Sequence, residues 1–161
     1  MRLRAALWAQ VEQHCLRAAP DEACGYLAAV RGAEDDVTDV IEVFNVADDP
    51  RSRYEVAEYE QLEIWAHLDE QHKRPVVTYH SHVDAPAIMS TVDTEMARDT
   101  RMMHLIVSVV PGVGVVDVNL YRVEWHGGAP VVVGPKWQRE RPDGWVTYRA
   151  FPQASTPGKE S

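Results

Sequence analysis

The sequence predicts one mixed α/β domain, a single sheet flanked by helices. Three observations predict it. Apolar residues recur at spacings of three and four in two stretches, 3–18 and 59–68, as they do in helices that bury one face. Short runs rich in Val, Ile and Tyr, bounded by Gly, Pro and Asp, read as strands. The order helix, strands, helix, strand, helix, strands is that of a sheet covered by helices. A chain of 161 residues suffices for one self-sustaining core.

Each element has a local reason. Leu3, Leu7, Val11, Cys15 and Ala18 share one face of a first helix, 3–18, and Pro20 stops it. The apolar run 24–30 reads as a buried strand, RGAEDD (31–36) as a hairpin connection, and 37–46 as a second, partly alternating strand. Asp48, Asp49 and Pro50 make a turn, and 54–56 is short and extended. A second helix, 57–73, carries the stripe Tyr59, Leu62, Trp65, Ala66 and Leu68 until Pro75 ends it. PVVTYHS (75–81) is a β-rich run, 83–89 a loop, and 91–101 a third helix. Ser90 at its N-cap and Asp93 three residues on form a capping-box pattern. Strands follow at 104–110, 115–125 and 131–133, divided by Gly-rich turns. From Gly134 the periodicity disappears. The expected organisation is a domain of residues 1–133 and a C-terminal extension, 134–161, partly disordered and ending in ASTPGKES.

Composition narrows the partners. The formal charge is −9, from 25 acidic against 16 basic residues. That balance argues against nucleic acid, which rewards a basic excess, and against an anionic membrane surface. No stretch approaches the roughly 18–20 apolar residues of a membrane span, and the N-terminus lacks a signal-peptide pattern. The expected compartment is the cytoplasm. Cys15 and Cys24 are too few for a disulfide framework and read as reduced core residues. The composition leaves room for a homodimer.

The chemistry concentrates in HSHVDAPAIMSTVD, residues 80–93. On a strand, positions i and i+2 face the same side, so His80 and His82 can converge on one ion. Asp93, in the first turn of the next helix, can bring a carboxylate to it. Three protein ligands with a fourth position left for water is the pattern of catalytic zinc. A hydrolase also needs a base and an oxyanion donor. Ser90 is placed to be the donor, and Glu22, at the mouth of an apolar strand, is the best candidate base. Each piece alone is more often structural. A bare H-x-H is weak, Ser90 and Asp93 can merely cap a helix, and Glu22 can face water. Among the other residues, His67, His72 and His126 read as solvated, His104 as a strand-end histidine, Trp8 and Trp65 as packing residues, and Tyr54 as a candidate groove residue.

Taken together, Glu22 in PDEACGYLAAV, His80-Ser81-His82, then Ser90 and Asp93 resemble the JAMM motif of the MPN+ metalloproteases. The likeness covers about residues 1–126. It implies the cytidine-deaminase-like MPN/JAB fold, a curved mixed sheet flanked by helices. It implies zinc held by His80, His82 and Asp93, Glu22 as the base and Ser90 as the oxyanion donor. PDEACG, YEQLEIWAHLDE and PVVTYHSH are most similar to the short bacterial members that process ubiquitin-like sulfur-carrier proteins. The implied reaction is hydrolysis after a C-terminal Gly-Gly, releasing C-terminal residues or a cysteine adduct. An isopeptidase that frees a ubiquitin-like modifier from lysine is the alternative, and a non-catalytic MPN scaffold a third reading. Val83 and Met89 stand where the family often has proline, which bears on the substrate loop rather than on the ligands.

Overall fold

The computed structural model of the chain describes residues 1–97, 101–134, 137–140 and 144–150. In chain order the elements are β1 (Arg2–Arg4), α1 (Ala5–Ala18), β2 (Cys24–Val30), β3 (Asp36–Val43), α2 (Glu58–Glu70), β4 (Lys73–Val83), α3 (Thr91–Met96), β5 (Met103–Val110), β6 (Gly114–His126), β7 (Ala129–Val133), β8 (Trp137–Glu140) and β9 (Trp145–Ala150). The strands form one sheet in the order β7-β6-β5-β4-β2-β3-β1-β9-β8. It is mixed, because β4 runs parallel to β5 and β1 parallel to β3 while the other neighbours are antiparallel. The expected mixed α/β architecture is the one observed.

Strand alternation gives the sheet two faces with separate cores. On one, Trp8, Val11 and Cys15 of α1 pack on Leu27, Val77, Tyr79, Leu105 and Val107. Burying each large side chain contributes roughly 1.5–3 kcal/mol, so this layer is the main source of stability. On the other, Cys24, Tyr26 and Val43 pack with Ile64 of α2, and Ala87 packs with Ile106 and Tyr121. The candidate site lies on this second, thinner face.

Four local expectations change. The first helix begins at Ala5, because residues 2–4 are a strand paired with β3 and β9. The second helix ends at Glu70; His72 takes φ 56° and β4 starts at Lys73. Pro75 therefore lies inside a central strand. Its missing N–H is tolerated because pairing with β5 starts only at Val77 and the register with β2 shifts between Leu27 and Ala28. The buried stripe of α2 is also rotated: Ile64, Trp65 and Leu68 face the sheet, whereas Tyr59 and Leu62 stand exposed. The third helix ends at Met96, and residues 98–100 of its expected span lie outside the described residues.

Within 134–161, where the pattern showed no element, β9 pairs antiparallel with β1. Its Val146 and Tyr148 are buried with α1, and the Tyr148 N–H donates to the Met1 carbonyl at 2.9 Å. The tail ASTPGKES lies outside the described residues. Among the described residues, no helix is long and apolar enough to cross a membrane.

Candidate active site

β4 lies at the centre of the sheet, with His80 opposite Cys24 of β2 on one side and Ile106 of β5 on the other. That position buries both histidines. Their Nε2 atoms face each other at 3.1 Å. α3 brings Asp93 to the same point, with Oδ1 3.3 Å from His80 Nε2 and Oδ2 3.5 Å from His82 Nε2. One ligand atom from each of the three residues lies within 4.8 Å of the others. The sequence expectation of a shared point for these three side chains is what the geometry shows.

The donor set fits a divalent cation. Two imidazole nitrogens and a carboxylate oxygen converge in a buried site, a ligand chemistry suited to zinc and its neighbours. His82 Nδ1 lies 2.8 Å from the Pro86 carbonyl, which can only accept. Nδ1 therefore carries the hydrogen and Nε2 is the atom left to ligate, the usual support for a metal-bound histidine. Burial pushes the His80 imidazole down, toward the neutral form a metal requires. Burial also acts to raise Asp93, but hydrogen bonding with His80 and His82 outweighs it and holds the carboxyl well below the usual carboxylate range. For His82 burial works downward, yet Asp93, Pro86 and Glu22 outweigh it and its pKa is raised.

Ser90 caps the helix that carries Asp93. Its Oγ accepts from the Asp93 N–H at 3.1 Å, and its own N–H donates to Asp93 Oδ2 at 2.8 Å. The capping box is complete. The hydroxyl accepts in the cap, and its hydrogen bonding to the Asp93 side chain also helps hold that carboxyl low. Beside Ser90 opens a cavity of about 480 Å³ lined by Met89, Thr91, Thr94, Glu95 and Trp125.

Glu22 precedes β2 and is only 6% exposed. Burial raises its carboxyl to about 7; Asp93 and Asp49 add to the rise while His82 opposes it. A carboxyl poised near neutrality is suited to accept and return a proton. Its backbone is pinned at both ends. The N–H donates to the Pro50 carbonyl at 2.7 Å, and the carbonyl accepts from Asn45 Nδ2 at 2.9 Å.

Several supporting residues carried no signal in the sequence reading. Asn45 also bonds the Arg53 carbonyl and the N–H groups of Ala47 and Glu55, so one amide shapes the whole 45–55 loop. That loop carries Tyr54, whose ring stacks on His80 with centroids 4.7 Å apart. An Asn beside a cluster of turn formers is the available clue to such a hub. Ser81 points away from the histidines, as alternation predicts. Its Oγ accepts the Ala23 N–H at 2.8 Å, and its own N–H donates to the Ala23 carbonyl at 3.0 Å. The 83–89 loop is held by Ser108 on the Ala85 carbonyl and by Asn119 and Tyr121 on that of Ala87. Gly25 is required by close approach: a Cβ there would lie 2.3 Å from the Ile41 carbonyl oxygen and 2.6 Å from the Tyr79 ring. Cys24 packs in the core, its thiol pushed up to about 12 by burial, and His104 sits at the start of β5, outside the ligand cluster.

Over residues 4–124 the chain matches the prokaryotic homologs of the JAB domain. The chain belongs to that family. This JAB-domain protein is 34% identical over 106 residues to a CysO-cysteine peptidase from Mycobacterium tuberculosis, an alignment covering 66% of this chain and 71% of the relative. It is 35% identical over 108 residues to a desampylase from Haloferax volcanii, covering 67% and 72%. Among solved structures, a Desulfitobacterium hafniense protein superposes with a TM-score of 0.67 at 23% identity, covering 81% of this chain and 88% of that one, a likeness of fold. A Salinibacter ruber protein gives 0.58 at 27% identity over 77% and 82%.

Proposed function

We propose that this JAB-domain protein is a cytoplasmic zinc peptidase that hydrolyses the bond after the C-terminal Gly-Gly of a ubiquitin-like sulfur-carrier protein, releasing C-terminal residues or a cysteine adduct. The observation that carries the reading is the convergence of buried His80, His82 and Asp93 beside a glutamate held near neutrality. The likeness to a CysO-cysteine peptidase points to the substrate class.

His80, His82 and Asp93 hold the zinc. When bound it supplies Lewis acidity at the scissile carbonyl and acidifies water. Glu22 takes a proton from the attacking water and returns it to the leaving nitrogen as the C–N bond breaks, leaving a carboxylate and a free amine. The Ser90 hydroxyl donates to the oxygen that gains negative charge. Tyr54, stacked on His80, shields that ligand from solvent. The likeness to the desampylase favours, as a second reading, an isopeptidase that releases such a modifier from lysine. A non-catalytic scaffold is disfavoured by the presence of Glu22, His80, His82, Ser90 and Asp93 together.

The test is to quantify zinc in the purified protein and incubate it with a Gly-Gly carrier bearing a C-terminal cysteine, and separately with one joined to lysine. Stoichiometric zinc and cleavage that stops on chelation are expected. Absence of stoichiometric zinc, or cleavage undiminished by its removal, overturns the proposal.

A further inference from the structure

The chain is strongly acidic, yet four of its 16 basic residues line one cavity. Arg31 follows β2, Lys73 and Arg74 open β4, and Arg101 precedes β5; Trp65 of α2 and Pro75 complete the wall. The cavity measures about 190 Å³. It lies toward the opposite end of β4 from the histidines: His80 is six positions along the strand from Arg74, roughly 20 Å.

All polar side-chain groups in this wall are donors. Guanidinium, ammonium and indole N–H have no acceptor among them. Two of the cations are already matched, Arg31 by Asp69 at 2.5 Å and Lys73 by Asp39 at 2.8 Å. The half-buried Arg74 guanidinium makes no close hydrogen bond or ion pair with a described residue, and Glu34 acts on it only at longer range. The indole Nε1 of Trp65 is buried and likewise has no partner among the described residues. Water would satisfy the indole but would leave the Arg74 guanidinium without a close acceptor. A group that offers only acceptors and carries negative charge answers both, and the planar fork of arginine matches an oxyanion in shape as well as sign.

We propose that this cavity is a binding site for a small multivalent oxyanion, a phosphate or polycarboxylate group held by Arg74 and the Trp65 indole, separate from the metal site. The ligand adds a bridge between α2 and the start of β4, beside the exposed Arg31–Asp69 pair that links α2 to the turn after β2.

The test uses the full-length, zinc-loaded, ¹⁵N-labelled protein. Its Trp65 indole N–H resonance is identified by its loss in Trp65→Phe. Phosphate, pyrophosphate and citrate are titrated against chloride at matched ionic strength. The expected result is a saturable shift of that resonance by at least one of the three. In Arg74→Gln binding weakens by roughly tenfold or more, about 1.4 kcal/mol, with zinc content and cleavage rate unchanged. Preference among the three anions separates a phosphate from a carboxylate ligand. No shift up to about 10 mM, above the range of weak specific binding, overturns the proposal. So does a shift that chloride reproduces or that Arg74→Gln leaves intact.

Discussion

Replacing Glu22 by Gln separates the catalytic from the structural consequences of burying a carboxyl. The side chain keeps its shape and loses its charge. In the unfolded chain Glu22 gives up its proton near 4.5; in the fold burial delays this to about 7. Between those values the folded protein holds the extra proton, so wild-type stability falls as pH rises through 4.5–7. At about 1.4 kcal/mol per pH unit the ceiling is about 3 kcal/mol. Relaxation of the protein around the buried carboxyl reduces this to about 1–2 kcal/mol. Glu22→Gln lacks this penalty. In metal-free protein its stability relative to wild type rises by about 1–2 kcal/mol between pH 5 and pH 8, read from urea unfolding at each pH. In zinc-loaded protein the same change lowers the cleavage rate by about 10²–10⁴-fold, the usual worth of a general base, while zinc stoichiometry is kept. Wild-type activity declines as pH falls below about 7, because the base becomes protonated; zinc beside it shifts that limb to lower pH. Full activity in Glu22→Gln with zinc bound, or a stability difference that does not change with pH, refutes the reasoning.

Four further outcomes test the surroundings. Ser90→Gly costs only a few tenths of a kcal/mol as a cap but removes the hydroxyl donor, so the cleavage rate falls about 10²-fold or more; thermal unfolding and kinetics of the one variant check both halves. Asn45→Ala leaves the Glu22 carbonyl and two loop N–H groups without their partner, and is expected to cost about 2–3 kcal/mol in denaturant unfolding and to lower kcat with zinc still bound. Because the His82 pKa is raised, protons compete with zinc to higher pH than at an ordinary histidine; zinc affinity measured by calorimetry therefore weakens as pH is lowered, and binding releases protons to the buffer. Gly25→Ala forces a Cβ against the Ile41 carbonyl and is expected to cost about 2–3 kcal/mol, measured as the shift in unfolding midpoint.

The candidate ligand set was legible because its constraint is local. Two histidines at i and i+2 on a strand, followed by a capped helix carrying an aspartate, fix three directions with few dihedral choices. The main helices and strands were legible for the same reason, since periodicity is a property of neighbours in sequence. What stayed hidden depends on distant partners. β1 is three residues long, too short to show a pattern, and β9 lies in a stretch without periodicity; β1 is a strand because β3 and β9 lie beside it, and β9 because β1 and β8 do. The stripe of α2 was misread because Tyr59 and Leu62 are apolar without being buried. Apolarity permits burial; the sheet decides which face is used. Asn45 looked like a loop residue and Tyr54 like a candidate groove residue, and only the fold shows that one pins the carbonyl of Glu22 and the other stacks on His80.

The joint between Glu22 and the histidines illustrates how such a site is held. The motif names Glu22 and His80, and the segments that carry them are joined through their neighbours. Ala23 and Ser81, 58 residues apart, exchange two hydrogen bonds, one through the Ser81 side chain. Ser81 is fully buried on the face opposite the histidines, so under the proposed mechanism it would position Glu22 without reaching the reacting atoms. Removing its hydroxyl in Ser81→Ala leaves the Ala23 N–H unpaired inside the protein, at about 1–3 kcal/mol, and frees the segment that carries Glu22. Ser81→Thr keeps the hydroxyl and is the control. If Ser81 positions the base, Ser81→Ala lowers kcat at unchanged zinc affinity and Ser81→Thr recovers most of it. If it serves only to fill the core, both variants lose stability and neither changes kcat in the folded fraction, and the argument that the middle residue of H-x-H sets the base fails.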